Sequence, residues 1–400
     1  MIVQFFLAVL LGIISGVFTG LIPGIHVNLA SSIFFEILIS GFFRFENQAL
    51  FFVVLISAMM TTHIFIDNIP SIFLGAPDES TILSVLPGHR MLLKGKALIG
   101  IESIVFGSLI SMILGVIMLP LMILLLRTLF DYSKPIVPLL LIFISLTLIM
   151  SHKEKNSRFW AFFIFIYSGI LGFFTLRMPF LKQPMLPLLS GFFGISVLLE
   201  SLFSKPYIPE QNGDVEFKLS PLGSVLGFFS GSLTALFPAI TSSIAVLFAR
   251  IFLKRTEESD FLNILGAVNA SNIFLTTLFL LLTGKARNGA LVFISKILNL
   301  NIATTLLIIG VILLSSGIAS IISLRLSKIF CTVISKINYA KVSLVIIIFL
   351  NFLILFKSGI LGLLILLVSS ALGFFSQSLN VKRIVLIGCL IFPVFLNYIV

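Results

Sequence analysis

The sequence predicts an all-α fold: a polytopic integral membrane helical bundle built from two sequence-related repeats, with broken or re-entrant helices. Three observations predict it. Of 400 residues, 59% are hydrophobic, 10% are charged and 43 are Phe. With a mean hydropathy of +1.22, that is more apolar surface than a soluble domain of this length can hide. Apolar runs able to cross a bilayer recur along the chain, at 102–126, 136–151, 159–176, 300–324, 342–356 and 359–375. Apolar segments interrupted by Gly and Pro also stand at corresponding places in the two halves. On length grounds we expect roughly ten to fourteen spans, broken ones included.

The remaining composition narrows the class. The net charge is +11, but the basic residues are scattered through short connections: Arg90, Lys94 and Lys96; Lys153, Lys155 and Arg158; Arg250, Lys254 and Arg255; Arg325 and Lys328; Lys382 and Arg383. Cytoplasmic loops of membrane proteins have this look. No block of like charge is long enough for a nucleic-acid arm, so no nucleic-acid partner is expected. Basic loops are too frequent to fix an orientation. Cys331 and Cys389 lie in or beside apolar runs and imply neither a disulfide framework nor a zinc site. The N-terminal "MIVQFFLAVLLGIISG" lacks a basic n-region and a small-residue cleavage site, and reads as a retained first span. The expected location is the cell membrane, multi-pass.

The largest polar stretch, "SKPYIPEQNGDVEFKLSPLG" (204–223), divides the chain near its middle. We read residues 1–204 as a first membrane repeat, 205–222 as a polar linker and 223–400 as a second repeat. "GVFTGLIPGIHVNLA" (16–30) lies over "GSLTALFPAITSSIA" (231–245), so that Gly16, Thr19, Leu21, Pro23, Ile25 and Ala30 coincide with Gly231, Thr234, Leu236, Pro238, Ile240 and Ala245. "HIFIDNIPSIFLG" (63–75) lies over "NIFLTTLFLLLTG" (272–284), and "LGFFT" (171–175) matches "LGFFS" (372–376). The three anchors keep the same order. We expect the repeats to be inverted, since inversion permits alternating access by rocking or sliding one part against another.

The paired interruptions carry the functional expectation. Pro23 removes a backbone donor and Gly24 lets the chain turn. Unpaired backbone groups in lipid cost several kcal/mol each, so such a break is kept only where it is buried in protein or lines a watery cavity. The freed amides at the start of the next half-helix attract anions. Two such ends, at Pro23 with Gly24 and at Pro238, would face a carboxylate from opposite sides. His26 and Asn28, directly after the first break, are the first candidates for substrate contact; Thr241, Ser242 and Ser243 offer hydroxyls after the second. The bland reading of each break alone is a kink that packs two helices closely.

Polar groups concentrate at 61–96, "TTHIFIDNIPSIFLGAPDESTILSVLPGHRMLLKGK". His63 and Asp67 are four apart and share a helix face. Inside an apolar run, ionisable groups are read as functional, with a pair of interhelical hydrogen bonds as the alternative. Asp67 and Asn68 offer oxygen ligands to a hard cation such as Na⁺; Asp67, Glu79 or His63 would serve a proton relay. Asp78, with Ser80 or Thr81, would cap a helix leading into "TILSVL" or join the ion-coupling set. In the second half, Asn269 and Asn272 of "AVNASN" are the corresponding ion-coupling candidates, and "TGKARNG" (283–289) brings Lys285 and Arg287 opposite Ala76 to Asp78. No cofactor is expected beyond a coupling Na⁺ or H⁺, and no resident metal.

"GLIPGIH", followed by "IPSIFLGAPDES" and "LPGHRMLLKGKA", resembles the large permease subunit of the tripartite tricarboxylate transporters (the TctA type), in its shorter, archaeal-like branch. The resemblance covers most of the chain. It implies a secondary active transporter moving organic carboxylates, driven by a proton or sodium gradient and not an enzyme. It also implies a small membrane subunit and an extracytoplasmic binding protein as partners, beside the small organic anion and the surrounding lipid. The second motif reads "LFPAITSS", with Ala239 where the family pattern has glycine.

Two other classes compete. An intramembrane metal-dependent enzyme would use the His63/Asp67 pair with His26 as a third ligand, although His-Glu-x-x-His is absent; stoichiometric zinc in the purified protein would favour it. A channel or structural membrane protein needs no paired breaks, and saturable, gradient-dependent flux would exclude it.

Overall fold

A computed structural model describes residues 2–23, 27–41, 47–76, 81, 83–130, 136–181, 183–204, 208–211, 220–237, 240–253, 257–336 and 339–399. The described residues are helical and connecting segments, without strands. In chain order the helices begin with α1 Ile2–Leu21, α2 Val27–Ile39, α3 Gln48–Ile66, α4 Asn68–Phe73, α5 Val85–Leu93 and α6 Ala97–Ile117. Next come α7 Leu119–Phe130, α8 Ile136–Met150, α9 Lys155–Leu176, α10 Met185–Leu189, a π-helical turn Ser190–Ile195 and α11 Ser196–Ser204. The chain continues with α12 Pro221–Leu236, α13 Ser242–Ile251, α14 Glu258–Thr283, α15 Gly289–Ile297, α16 Ile302–Ile334 and α17 Tyr339–Ser378. It ends with a short 3₁₀ segment, Arg383–Ile387, and α18 Gly388–Ile399.

Seven of these helices are long and apolar enough to cross a membrane. Seven more apolar helices, of 10–17 residues, are too short to cross alone; they include α2, α12 and α13, the segments that flank the two breaks. The apolar run 102–126 is two helices, not one: Met118 forms a turn, and Pro120 lacks the N–H and clashes with the preceding turn. Conversely, the runs 342–356 and 359–375 merge into α17, which bends at Gly359 with φ +66° and ψ −164°. Only glycine occupies that backbone region readily. A Cβ there meets nothing within 4 Å, so Gly359→Ala acts through the backbone alone. It should cost ~1–3 kcal/mol and lower the melting temperature of the detergent-solubilised protein by roughly 5 °C; an unchanged melting curve would mean the bend relaxes freely.

The chain forms two compact units. The first comprises Met1–Pro70, Leu98–Asp131 and Gly213–Phe330; the second comprises Ser71–Ala97, Tyr132–Asn212 and Cys331–Val400. Each therefore draws on both halves of the sequence. In the first unit α3 and α14 are central, with 83% and 89% of their spans buried, whereas α1 is only 39% buried. The reason is legible on α1. Val3, Phe6, Leu10, Ile14 and Phe18 form an exposed apolar stripe suited to lipid, while Ala8, Val9, Ile13 and Thr19 face inward.

In the second unit, Ala76, Leu186, Ile195, Leu198, Leu350 and Leu366 belong to one apolar core. The buried Arg383 is tied into it polar group by polar group. Its guanidinium pairs with Glu200 at 3.0 Å and donates to the Ser196 carbonyl at 3.3 Å and to Gln377. His89 is buried within electrostatic reach of Glu200 and Arg383. The Gln211 side chain, in the connection after α11, accepts from the Ala97 N–H at 3.0 Å and donates to the Leu92 carbonyl at 3.0 Å.

His152, between α8 and α9, provides a pH test. Its Nε2 accepts from the Lys382 N–H at 3.1 Å, which leaves Nδ1 to donate to the Ile149 carbonyl at 3.1 Å. Burial, first of all, holds the imidazole below its usual range, and the Ile149 carbonyl only partly offsets this. A histidine whose folded pKa lies below its unfolded value stabilises the fold above that unfolded value. The stability is lost as pH falls from about 6.5 towards the folded pKa. Melting temperature should therefore drop on acidification through this window, and His152→Gln should flatten that part of the profile. An identical slope in the variant would contradict the assignment.

Candidate functional site

The first break follows directly from the packing of α1 on α3. Gly12, Gly16 and Gly20 lie one turn apart on the inner face of α1. A Cβ on Gly12 would fall 2.5 Å from the Leu55 carbonyl oxygen and 2.7 Å from the Ala58 Cβ. On Gly16 it would fall 2.6 Å from the Thr62 Cβ and 2.7 Å from the Met59 carbonyl oxygen. On Gly20 it would meet Ile66 at 2.8 Å and the Asp67 nitrogen at 3.1 Å. Small residues at this spacing let two membrane helices approach backbone to backbone. The end of α1 thus lies on the end of α3, and the chain then turns through Ile22 and Pro23 before α2 starts at Val27. Gly24 and His26 lie outside the described residues; Asn28 is exposed on the first turn of α2.

This approach assembles a buried polar group. Thr19 Oγ1 donates to the Gly16 carbonyl at 3.2 Å and lies 3.0 Å from His63 Nδ1. His63 Nε2 is 3.8 Å from Asp67 Oδ2, with the two side chains 7% and 3% exposed. Asn68 Nδ2 donates to Asp67 Oδ1 and to the Ile64 carbonyl, both at 2.9 Å. The Asn68 Oδ1 atom is buried without a hydrogen-bond partner, an uncommon condition that invites a ligand. Sequence spacing brought His63, Asp67 and Asn68 together; Thr19 was missed as their partner, although its match with Thr234 was the available sign.

The second break has a different chemistry. α12 ends at Leu236, Phe237 is extended, and α13 begins at Ser242 with Thr241 as its N-cap, Oγ1 accepting from the Ile244 N–H at 3.4 Å. Pro238 and Ala239 lie outside the described residues. Asn272 on α14 donates to Ser242 Oγ at 3.1 Å. Ser243 is buried and its Oγ has no hydrogen-bond partner. Asn269 is buried one turn earlier on α14. Arg287, which the sequence reading left outside the candidate set, closes this break. Its Nε donates to the Ala235 carbonyl at 3.1 Å, its Nη2 lies 3.5 Å from the Leu236 carbonyl, and its guanidinium sits 4.6 Å from the centre of the Phe279 ring. A cation at the carbonyl end of a helix is favourable.

One segment touches the flanks of both breaks. Two residues beyond Arg287, Gly289 opens α15, and a Cβ on it would lie 2.4 Å from Asn28 Cγ. Asn288 caps α15, accepting from the Leu291 N–H at 2.8 Å, and its Nδ2 lies 3.4 Å from Thr276 Oγ1. Further along the same seam, the Phe35 ring of α2 lies against the Phe293 ring of α15, centroids 5.6 Å apart and planes tilted by 46°, with Lys296 5.8 Å from the Phe35 ring.

The α12–α14 pair repeats the α1–α3 contacts position by position. A Cβ on Gly227 would meet the Ala267 Cβ at 2.6 Å and the Ile264 carbonyl at 2.9 Å; on Gly231 it would meet Ser271 Oγ at 1.7 Å and the Val268 carbonyl at 3.1 Å. When the offsets of the first two sequence matches are extended a few residues toward the N-terminus, these positions fall opposite Gly12 with Ala58 and Leu55, and Gly16 with Thr62 and Met59. Thr234 Oγ1 donates to the Gly231 carbonyl at 2.6 Å, as Thr19 does to Gly16.

Asp78 and Glu79 lie outside the described residues. The helix expected to start around Thr81 starts later, at Val85, with Ser84 as an N-cap that makes no side-chain capping bond. Thr81 is engaged elsewhere: Ser71 Oγ donates to its hydroxyl at 2.6 Å, and Ser84 Oγ to its carbonyl at 2.6 Å. Among the described residues, no three His, Cys, Asp or Glu side chains gather to hold a metal ion.

A multi-pass helical bundle with polar side chains gathered at interrupted helices is, by class, a membrane permease. The chain belongs to the tripartite tricarboxylate transporter TctA family, whose model matches residues 6–388. It is similar to an uncharacterized protein of the archaeon Methanocaldococcus jannaschii, 30% identical over 98% of both chains, in keeping with the archaeal-like branch. No solved structure gives a significant match. The family is one of transporters and not of enzymes, which sets aside the intramembrane metal-enzyme alternative.

Proposed function

We propose that this permease is a secondary active transporter for organic carboxylate anions, coupled to a cation or proton, with substrate held between the two helix breaks. The observation that carries the reading is the Arg287–Gly289 segment, which leans on Asn28 after the first break and on the carbonyls of residues 235 and 236 before the second. An anion there would find the Arg287 guanidinium, the Asn28 amide and the capped start of α13 at Thr241, Ser242 and Ser243. Guanidinium and helix-start amides are the groups best matched to a carboxylate. Pro23, Gly24, His26 and Pro238 complete the proposed substrate set. His63, Asp67 and Asn68 form the proposed ion-coupling set, with Asp78, Glu79, Asn269 and Asn272 as further members.

The matched glycine contacts of α1–α3 and α12–α14 support descent from a duplicated unit. We take the halves 1–204 and 223–400, joined by 205–222, as inverted repeats of it. The family's tripartite character supports a small membrane subunit and an extracytoplasmic binding protein as partners. The test is uptake into proteoliposomes of a panel of di- and tricarboxylates under imposed Na⁺ or H⁺ gradients. The reading expects saturable uptake that follows a gradient; non-saturating flux indifferent to gradients would make the protein a channel.

A further inference from the structure

We propose that the turn between α8 and α9, with Lys382 beside it, binds the phosphate headgroup of an anionic phospholipid whose chains run along the aromatic flank of α9. The proposal is independent of the carrier reading. The turn and the segment after α17 are distant in sequence but clamped together. The Lys382 N–H donates to His152 Nε2 and Lys382 Nζ donates to the Ser151 carbonyl, both at 3.1 Å. Arg158, in the first turn of α9, donates from Nε to the His152 carbonyl at 2.6 Å. Two cations are thus fixed on the carbonyls of consecutive residues. After burial, the charges of Lys382 and Arg158 help to hold the His152 imidazole below its usual range, so both bear on one ring. Lys153 and Lys155 stand exposed on the same turn.

Among the described residues, no carboxylate pairs with Lys153, Lys155 or Arg158, and the two Nη nitrogens of Arg158 make no hydrogen bond. Glu154, the acidic residue of the turn, is exposed and makes no side-chain capping bond. Glu200, on α11, is engaged with Arg383 and Gln377. Four cations against the one carboxylate of the turn leave a positive potential unbalanced. The planar fork of Arg158 suits two phosphate oxygens at once, and Lys382 adds a point charge beside it.

Depth in the membrane selects a lipid over a soluble anion. α9 begins at Lys155 and α17 ends at Ser378, and both are long and apolar enough to cross a membrane. Directly inside the cations lies an aromatic layer. Trp160 meets Phe375 edge-on at 6.3 Å, and Phe163 lies 6.5 Å from Trp160 and 4.7 Å from Phe159. Phe159, Phe162 and Phe375 are exposed. Aromatic rings of this kind mark the boundary between headgroups and hydrocarbon, and cations just outside it attract anionic headgroups. A free phosphate would engage the cations alone; a phospholipid engages the cations and the rings together.

Trp160 is the protein's one tryptophan, so its fluorescence reports this site in the full chain. The protein is reconstituted in vesicles of phosphatidylcholine and phosphatidylglycerol, with brominated chains on one lipid or the other, because bromine quenches a tryptophan that it approaches. The proposal expects brominated phosphatidylglycerol to quench Trp160 beyond its mole fraction, with a relative affinity at least about fivefold above that of phosphatidylcholine. The preference should shrink as salt is raised. It should fall by at least about half in the double variant Lys153→Gln, Lys155→Gln, and to parity in the double variant Arg158→Gln, Lys382→Gln. Lys382→Gln keeps the N–H that binds His152. The first variant alters only exposed side chains without partners, so it keeps the test open if the second folds poorly.

Equal quenching by the two lipids, or an unchanged preference in both variants, overturns the proposal. Inorganic phosphate added to the vesicles should reduce the preference no more than chloride does at the same ionic strength. If phosphate abolishes the preference where chloride does not, the turn is a site for the free anion and the lipid assignment is overturned.

Discussion

Gly16→Leu and Gly231→Leu are each expected to remove most of the folded carrier from the membrane fraction that resists detergent and heat. The first methyl-sized atom at Gly16 already falls 2.7 Å from the Met59 carbonyl oxygen, and at Gly231 it falls 1.7 Å from Ser271 Oγ and 3.1 Å from the Val268 carbonyl. A side-chain hydroxyl can rotate away, but a helix carbonyl cannot, so the helices must separate. Forcing extra methylenes into a packed core costs ~1–3 kcal/mol, and four carbons wedged against backbone exceed that. Against a typical total stability of ~5–15 kcal/mol, the melting temperature should fall by on the order of 10 °C. Separation of α1 from α3 would also draw Thr19 away from His63. Gly310→Leu is the internal control: Gly310 is exposed on α16 and a Cβ there meets nothing within 4 Å. A stable Gly16→Leu protein would mean that the two central helix pairs are not held at backbone contact.

Arg287→Gln is expected to raise the KM for a tricarboxylate by about 10- to 100-fold, the worth of a charge-assisted hydrogen bond at ~1.5–3 kcal/mol. Arg287→Lys should recover part of this, because a point charge replaces the planar fork but cannot make two parallel bonds. The side chain also supports the end of α12 and stacks on Phe279, so some loss of stability is expected in both variants. The discriminating readout is stabilisation by substrate: added citrate should raise the melting temperature of the unaltered protein and fail to do so for Arg287→Gln. Equal citrate stabilisation in the two proteins would confine Arg287 to a structural role.

Much of this architecture was legible in the sequence because membrane proteins obey few, strong rules. The apolar runs and their Gly/Pro interruptions follow from the cost of unpaired backbone groups in lipid. The spacing of His63 and Asp67 placed them on one face without further information. The remainder depends on which helix lies against which. Thr19 becomes the partner of His63 only because Gly16 and Gly20 bring α1 onto α3, and Arg287 acquires a role only because its segment returns to the end of α12. Local rules also misled. Thr81 has the type and position of a helix cap, yet a closer acceptor role toward Ser71 takes its hydroxyl, and the helix begins at Val85. Pro120 splits a run that hydropathy alone reads as continuous, because a proline's missing donor is invisible to an average.

The central claim is that one anion contacts both breaks. It is tested most directly by maleimide labelling of Asn28→Cys and of Ser242→Cys, each alone in the full chain, with citrate titrated in. The two native cysteines are buried and should label slowly. The account predicts that citrate slows labelling at both positions with the same half-saturating concentration. Protection at only one position, or at two unrelated concentrations, would contradict a shared site.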